Sequence, residues 1–178
     1  MSCISVIGTT ELIYARTRVG PKMLLEIELV PSPLWHKSLK DILSRSEWDK
    51  IRKEIYKKYR YKCGICGSEG KMICHNIFEY DDVKYIQKLT GFISLCFLCN
   101  CVKHLGWSAE HLSEEDYDKV IRHFMKVNNC GRETFDKCEE YAAKKWTERS
   151  VRTWTQDFGD YRGLYKDKNQ TDIIDSWG

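Results

Sequence analysis

No stretch of this sequence is apolar for long enough to enter a membrane. The first twenty residues, MSCISVIGTTELIYARTRVG, hold no long apolar run and carry Arg16 and Arg18, so they predict neither a signal peptide nor a span. Such a chain is expected to stay in the reducing cytoplasm, with no membrane partner. No internal repeat and no low-complexity linker interrupts the 178 residues, which at 42% hydrophobic and 31% charged suit a single domain, 1–178, with its own core. Net charge is also scarce: +3 is too little to specify a nucleic-acid partner, so any such argument rests on local clusters. The nine cysteines cannot pair completely within the chain, because nine is odd. In a reducing compartment, clustered cysteines point to metal instead.

What is present begins with MLLEIELV, Met23 to Val30, apolar enough to predict a strand that Pro31 and Pro33 end. SEWDKIRKEIYKKYR then places Ser46 and Asp49 at capping spacing and puts Trp48, Ile51, Ile55 and Tyr59 three to four residues apart, which predicts a helix with one buried stripe. Its other faces carry Lys50, Arg52, Lys53, Lys57 and Lys58 and run on to Arg60 and Lys62. A solvated helix face reads the same way. SEEDYDKVIRHFMKV predicts a second helix, capped by Ser113 and Asp116 and stopped at NNCG, and Thr134 to Arg149 predicts a third. RTWTQDF is expected to be a strand pairing with LLEIELV. No motif is legible in the first twenty residues or beyond Gly163.

Cys63 and Cys66 form one Cys-x-x-Cys pair, Cys96 and Cys99 another. Two such knuckles supply four thiolates at tetrahedral corners, the donor set of a closed structural Zn2+ site that holds a fold and catalyses nothing. Gly64 and Gly67 let the first knuckle turn tightly around sulfur. Cys74 and Cys101 are rival ligands outside the paired spacing, while Cys3, Cys130 and Cys138 are isolated.

Between the knuckles, KMICHNIFEYDD and IQKLTGFISLC read as two apolar strands, followed by a helix on which Asn100 and His104 share a face. Through LEIELVP, WDKIRKEIYKK, YKCGICG, CHNIFEYDD, IQKLTGFISLC and VKHLG, most of residues 24–107 resembles the HNH endonuclease family, closest to a bacterial and phage branch. Similarity through KVNNCG and WTERS is weaker. The resemblance implies a zinc-stabilised ββα-metal core over 46–110; with the C-terminal helical pair over 111–150 and the strand and tail over 151–178, forming a small terminal β-pair, that the residues themselves predict, the expected fold class is α+β with flanking helices.

By that resemblance His75 ligates a catalytic divalent ion such as Mg2+, while Asn76 stands where a histidine or glutamate would activate water. Asn100 stands where a ligand histidine is usual, and His104 is where a further histidine is common. An asparagine carbonyl can ligate a hard cation, but an amide is a poor proton acceptor, so hydrolysis needs a base from Glu79, Asp81, Asp82 or His36. Read singly, His75 beside Cys74 is also what a hydrogen-bonded core histidine looks like, and His104 what a helix-end histidine looks like. The expected partner is DNA, its phosphates met by Lys50, Lys53, Lys57, Lys58, Arg60, Lys62 and Lys103. The alternative is an inactive scaffold that binds nucleic acid or a protein, such as a nuclease or nucleoprotein complex.

Overall fold

The computed structural model describes residues 23–35, 37–159 and 161; Cys3, His36 and both ends of the chain, with the tail expected there, lie outside these. Among the described residues the fold is mixed α+β, with six α-helices and one three-stranded sheet. A short helix α1 (Leu39–Ile42) leads into α2 (Arg45–Lys58). Next come β1 (Ile73–Asp81), β2 (Ile86–Leu95), α3 (Phe97–Lys103) and α4 (Leu105–His111). Two long helices, α5 (Glu114–Asn128) and α6 (Arg132–Ser150), precede β3 (Thr155–Asp157).

The cap of α2 differs from the expected one. Two overlapping serine-x-x-acid patterns compete, and Ser44 with Glu47 prevails over Ser46 with Asp49. Ser44 Oγ accepts from the Glu47 amide, and the longer glutamate arm reaches back to accept from the Ser44 amide at 2.9 Å. Asp49 instead accepts from Arg52 at 2.6 Å. The helix α5 is capped by Ser113 as its sequence implies, and Asn129 closes it in the left-handed conformation.

The antiparallel pair β1–β2 is the centre of the fold, with Ile73 opposite Leu95 and Asp81 opposite Ile86. Asp81 Oδ1 shapes the connecting turn by accepting from the amides of Val83 and Lys84 at 3.0 and 2.9 Å. One side of the hairpin packs Cys74, Phe78, Leu89 and Phe92 against Trp48, Ile51 and Ile55 of α2. The larger core gathers Leu95, Cys99, Val102, Val120, Phe124 and Phe135 from β2, α3, α5 and α6.

Two expectations about strands are corrected. Residues 23–30 form no strand: Asn128 holds Leu25 through both backbone groups, at 3.0 and 2.9 Å, and the Glu28 amide donates to Lys103 at 3.1 Å. Leu25 still packs into the core, as its apolar pattern implies, but the backbone is satisfied by helices. Nor does RTWTQDF pair with that segment. β3 lies parallel to β2, with Gln87 opposite Gln156, because α6 returns the chain to the tip of the hairpin, where the Thr155 amide donates to Tyr85. That pairing covers the first three residues of the β2 edge, Ile86 to Lys88.

Asn128→Ala removes both partners of the Leu25 backbone. We expect it to lower stability by about 1–3 kcal/mol and to raise hydrogen exchange at the Leu25 amide more than at the β1–β2 amides, as measured by denaturant unfolding and exchange mass spectrometry.

Candidate metal centre

The four paired cysteines converge. Their Sγ atoms all lie within 4.8 Å of one another, and Cys66 and Cys96 are 3.7 Å apart. For sulfur about 2.3 Å from a tetrahedral ion the expected edge is about 3.8 Å, so the group fits a four-coordinate metal ion. Among the described residues it is the one place where three or more His, Cys, Asp or Glu donors gather in this way.

Local structure explains the convergence. After α2, Arg60 and Tyr61 both take positive φ, 54° and 57°, and turn the chain sharply into the first knuckle. The Gly67 amide closes the knuckle onto the Cys63 carbonyl at 3.0 Å, with Gly67 at φ 74°. Gly64 is required by space: a Cβ there would lie 2.5 Å from the Tyr59 ring and 2.9 Å from Ile93. On the other side Cys96 caps α3, its sulfur accepting from the Cys99 amide at 3.4 Å.

Crowding the sulfurs changes their acidity. Hydrogen bonds with Cys63 and then Cys99 hold Cys96 far below the ordinary thiol range, while those with Cys63 and then Cys96 push Cys99 far above it. A metal cation at this site would replace those shared protons and stabilise four thiolates together. The rival cysteines are elsewhere. Cys74 faces α2, its thiol pushed up to about 12 by burial, and Cys101 is buried in the core beside the Ser108 contact.

His123 of α5 was missed in the sequence; its Nε2 lies 3.1 Å from Cys99 Sγ. A signal existed, since His123 falls three residues after Val120 on the apolar stripe of that helix. In the tautomer that carries its proton on Nε2, the ring donates to the sulfur and orients the thiolate from outside the tetrad.

Beside the tetrad is a second cluster. His75, 8% exposed on β1, meets His104 at the end of α3 with ring centroids 4.9 Å apart. Asn100 lies one turn before His104, which donates its amide to the Asn100 carbonyl at 3.0 Å. Glu28, also missed, completes the cluster: its carboxylate is 3.4 Å from His75 Nε2 and accepts from Lys103 Nζ at 2.5 Å. Its only sequence signal is an acid inside an apolar run. Burial would raise the Glu28 carboxyl, but the Lys103 charge and the His75 contact outweigh it and hold the group below the usual carboxylate range. Burial, with the neighbouring His75, pulls His104 down to about 4, so its ring is neutral at pH 7.

The remaining expected site residues separate. Asn76 does not face this cluster. It pairs with Phe92, which packs under α2, and side chains alternate along a strand, so Asn76 points away from His75. Its Oδ1 is buried without a hydrogen-bond partner. Lys103 is 8% exposed and ion-paired, which removes it from any basic surface. Lys50, Lys53, Lys57, Lys58, Arg60 and Lys62 are all exposed, with Lys62 bound to Glu69 at 2.9 Å. Of the substitute bases, Asp81 shapes the hairpin turn, Asp82 is held by Arg149 at 2.7 and 2.8 Å, and Glu79 is exposed. No helix among the described residues is long and apolar enough to cross a membrane.

Stripping metal with a strong chelator is expected to lower the unfolding temperature sharply, and Cys99→Ser to do the same without chelator. Cys74→Ser should leave metal content unchanged, as read by elemental analysis of the purified protein. No protein-family model matches the chain, and neither a curated protein nor a solved structure matches it.

Proposed function

We propose that this chain binds DNA on an HNH-type ββα scaffold, with zinc in the four-cysteine site, and that it does not cleave DNA efficiently. The observation that carries the binding reading is the exposed basic surface of α2 and the turn after it. Lys50, Lys53 and Lys57 follow one another at i, i+3 and i+7, and Lys58, Arg60 and Lys62 continue the charge past the helix end. Glu54 interrupts the stripe and tempers it. Such a surface meets phosphates and gives salt-dependent binding of low sequence specificity.

Three features argue against hydrolysis. The position expected to activate water is Asn76, whose amide is a poor base and which faces α2. A divalent ion at His75, Asn100 and His104 would sit beside the ammonium of Lys103, which already satisfies Glu28, so that donor set does not suit a second cation. Lastly, α2 packs on the side of the hairpin that Asn76 faces, and His75 points to the other, so phosphates along α2 are separated from the histidines by the hairpin.

A second reading, an active nuclease, is favoured by one contact: a carboxylate beside His75 is how a general-base histidine is oriented.

Duplex DNA is expected to bind at low salt and to weaken steeply as salt rises. Lys53→Glu with Lys57→Glu should weaken binding across sequences, each lysine that neutralises a phosphate taking about one from the salt slope. Absence of binding at low salt would sink the proposal. Plasmid incubated with magnesium, manganese or nickel should stay uncut; cutting that disappears in His75→Ala would establish the second reading instead.

A further inference from the structure

At the tip of the hairpin, away from the thiol tetrad and from the basic face of α2, a cavity of about 220 Å³ opens between the β1–β2 turn and the end of α6. It is lined by Tyr85 and Trp154, by Lys145, Arg149 and Arg152, and by Asp82 and Glu148. The rings form a packed group. Trp154 meets Tyr80 and Tyr85 edge-to-face, with centroids 5.4 and 5.8 Å apart, and its Nε1 donates to the Arg149 carbonyl at 2.8 Å. The Arg149 guanidinium lies over Tyr80 at 4.1 Å and that of Arg152 over Tyr85 at 5.4 Å.

The charges in this cavity are not balanced. Asp82 is taken bidentately by Arg149, and Glu148 accepts from Lys145 at 3.0 Å. Arg152 is exposed and makes no ion pair among the described residues. The cavity therefore carries a surplus cation directly beside aromatic rings.

Its backbone is strained at one point. Tyr85 has φ 53°, a conformation a bulky aromatic residue rarely adopts and one that glycine or asparagine would adopt at lower cost. The turn itself is fixed by Asp81 and by the Tyr85 backbone carbonyl that accepts from Thr155, so the ring serves only its contacts at the cavity wall, with Trp154 and Arg152. The strain keeps a ring at the cavity wall, a pattern associated with binding sites.

We propose that this cavity binds one nucleotide unit, its base against the Tyr85 and Trp154 rings and its phosphate on Arg152. Base stacking on aromatic and guanidinium planes is the recurring mode for single nucleotides and unpaired bases. At about 220 Å³ the cavity has room for one planar base, with the sugar and phosphate at its rim beside the exposed Arg152. The surplus cation selects a phosphorylated ligand over a neutral nucleoside.

The test is calorimetric titration of the full chain with adenosine 5′-monophosphate, with adenosine and inorganic phosphate as separate titrants. The monophosphate should bind more tightly than either fragment. Arg152→Ala and Tyr85→Gly should each weaken it by about tenfold or more. Arg152→Ala leaves the turn backbone and the aromatic rings in place, so its unfolding temperature should hold while affinity falls, which separates lost binding from lost folding. A trinucleotide of deoxyadenosine that binds more tightly than the monophosphate would assign the unit to a single strand, and equal binding would assign it to a free nucleotide. No binding of the monophosphate, phosphate binding as tightly as the nucleotide, or unchanged affinity in both variants would overturn the proposal. Neither variant touches α2 or the histidines, so this result stands apart from duplex binding there.

Discussion

Four sulfur atoms held within 4.8 Å of one another organise the rest of the chain. Cys63 and Cys66 follow α2, while Cys96 and Cys99 join β2 to α3, so the tetrad brings together elements separated by the whole hairpin. A two-stranded hairpin alone is marginal in water, and closing so long a loop costs entropy that grows slowly with length. A metal bound at the four thiolates would offset both. The dense packing beside the knuckle follows from it: the backbone at Gly64 runs so close to Tyr59 and Ile93 that no side chain fits. Through His123 the tetrad also reaches α5.

The Glu28–Lys103 pair has a different consequence. An ammonium 10% exposed at its side chain would be costly without a partner, and Glu28 supplies one at 2.5 Å while also touching His75. Local charge is thus balanced inside the protein, and His104 remains neutral beside it. The same pair, with the backbone bond from Glu28 to Lys103, explains why an apolar segment with strand composition does not become a strand. Apolar side chains of the segment pack into the core, and Leu25, Glu28 and Val30 bond through their backbones to Asn128 of α5, Lys103 of α3 and Trp146 of α6.

Three regions of distinct chemistry result. The basic surface lies on α2, the histidine cluster across the hairpin from it, and the aromatic and guanidinium group at the hairpin tip. The pleat of β1 separates the first two, because Asn76 and His75 are neighbours in sequence and point in opposite directions. The third depends on α6 being long enough to carry Arg149 and Arg152 back to the Asp82 turn.

Much of this was legible in the residues. The knuckle spacing of Cys63, Cys66, Cys96 and Cys99, the hairpin, and the helices α5 and α6 follow from local rules: metal-ligand spacing, alternation, capping and helical period. Ser44 over Ser46 as the cap of α2 was a choice between two valid local signals, and the reach of the Glu47 side chain made it. The residues that sequence reasoning missed, Glu28 and His123, act on partners 75 and 24 positions away, and no local pattern encodes such pairings. Sequence by itself determined which residues can be ligands, cores and caps, because those properties belong to short stretches of chain. Tertiary structure decided which of them meet: it turned Asn76 away from His75, buried Lys103 against Glu28, and laid β3 along β2, because strand direction, burial and ion pairing are settled by packing between distant segments.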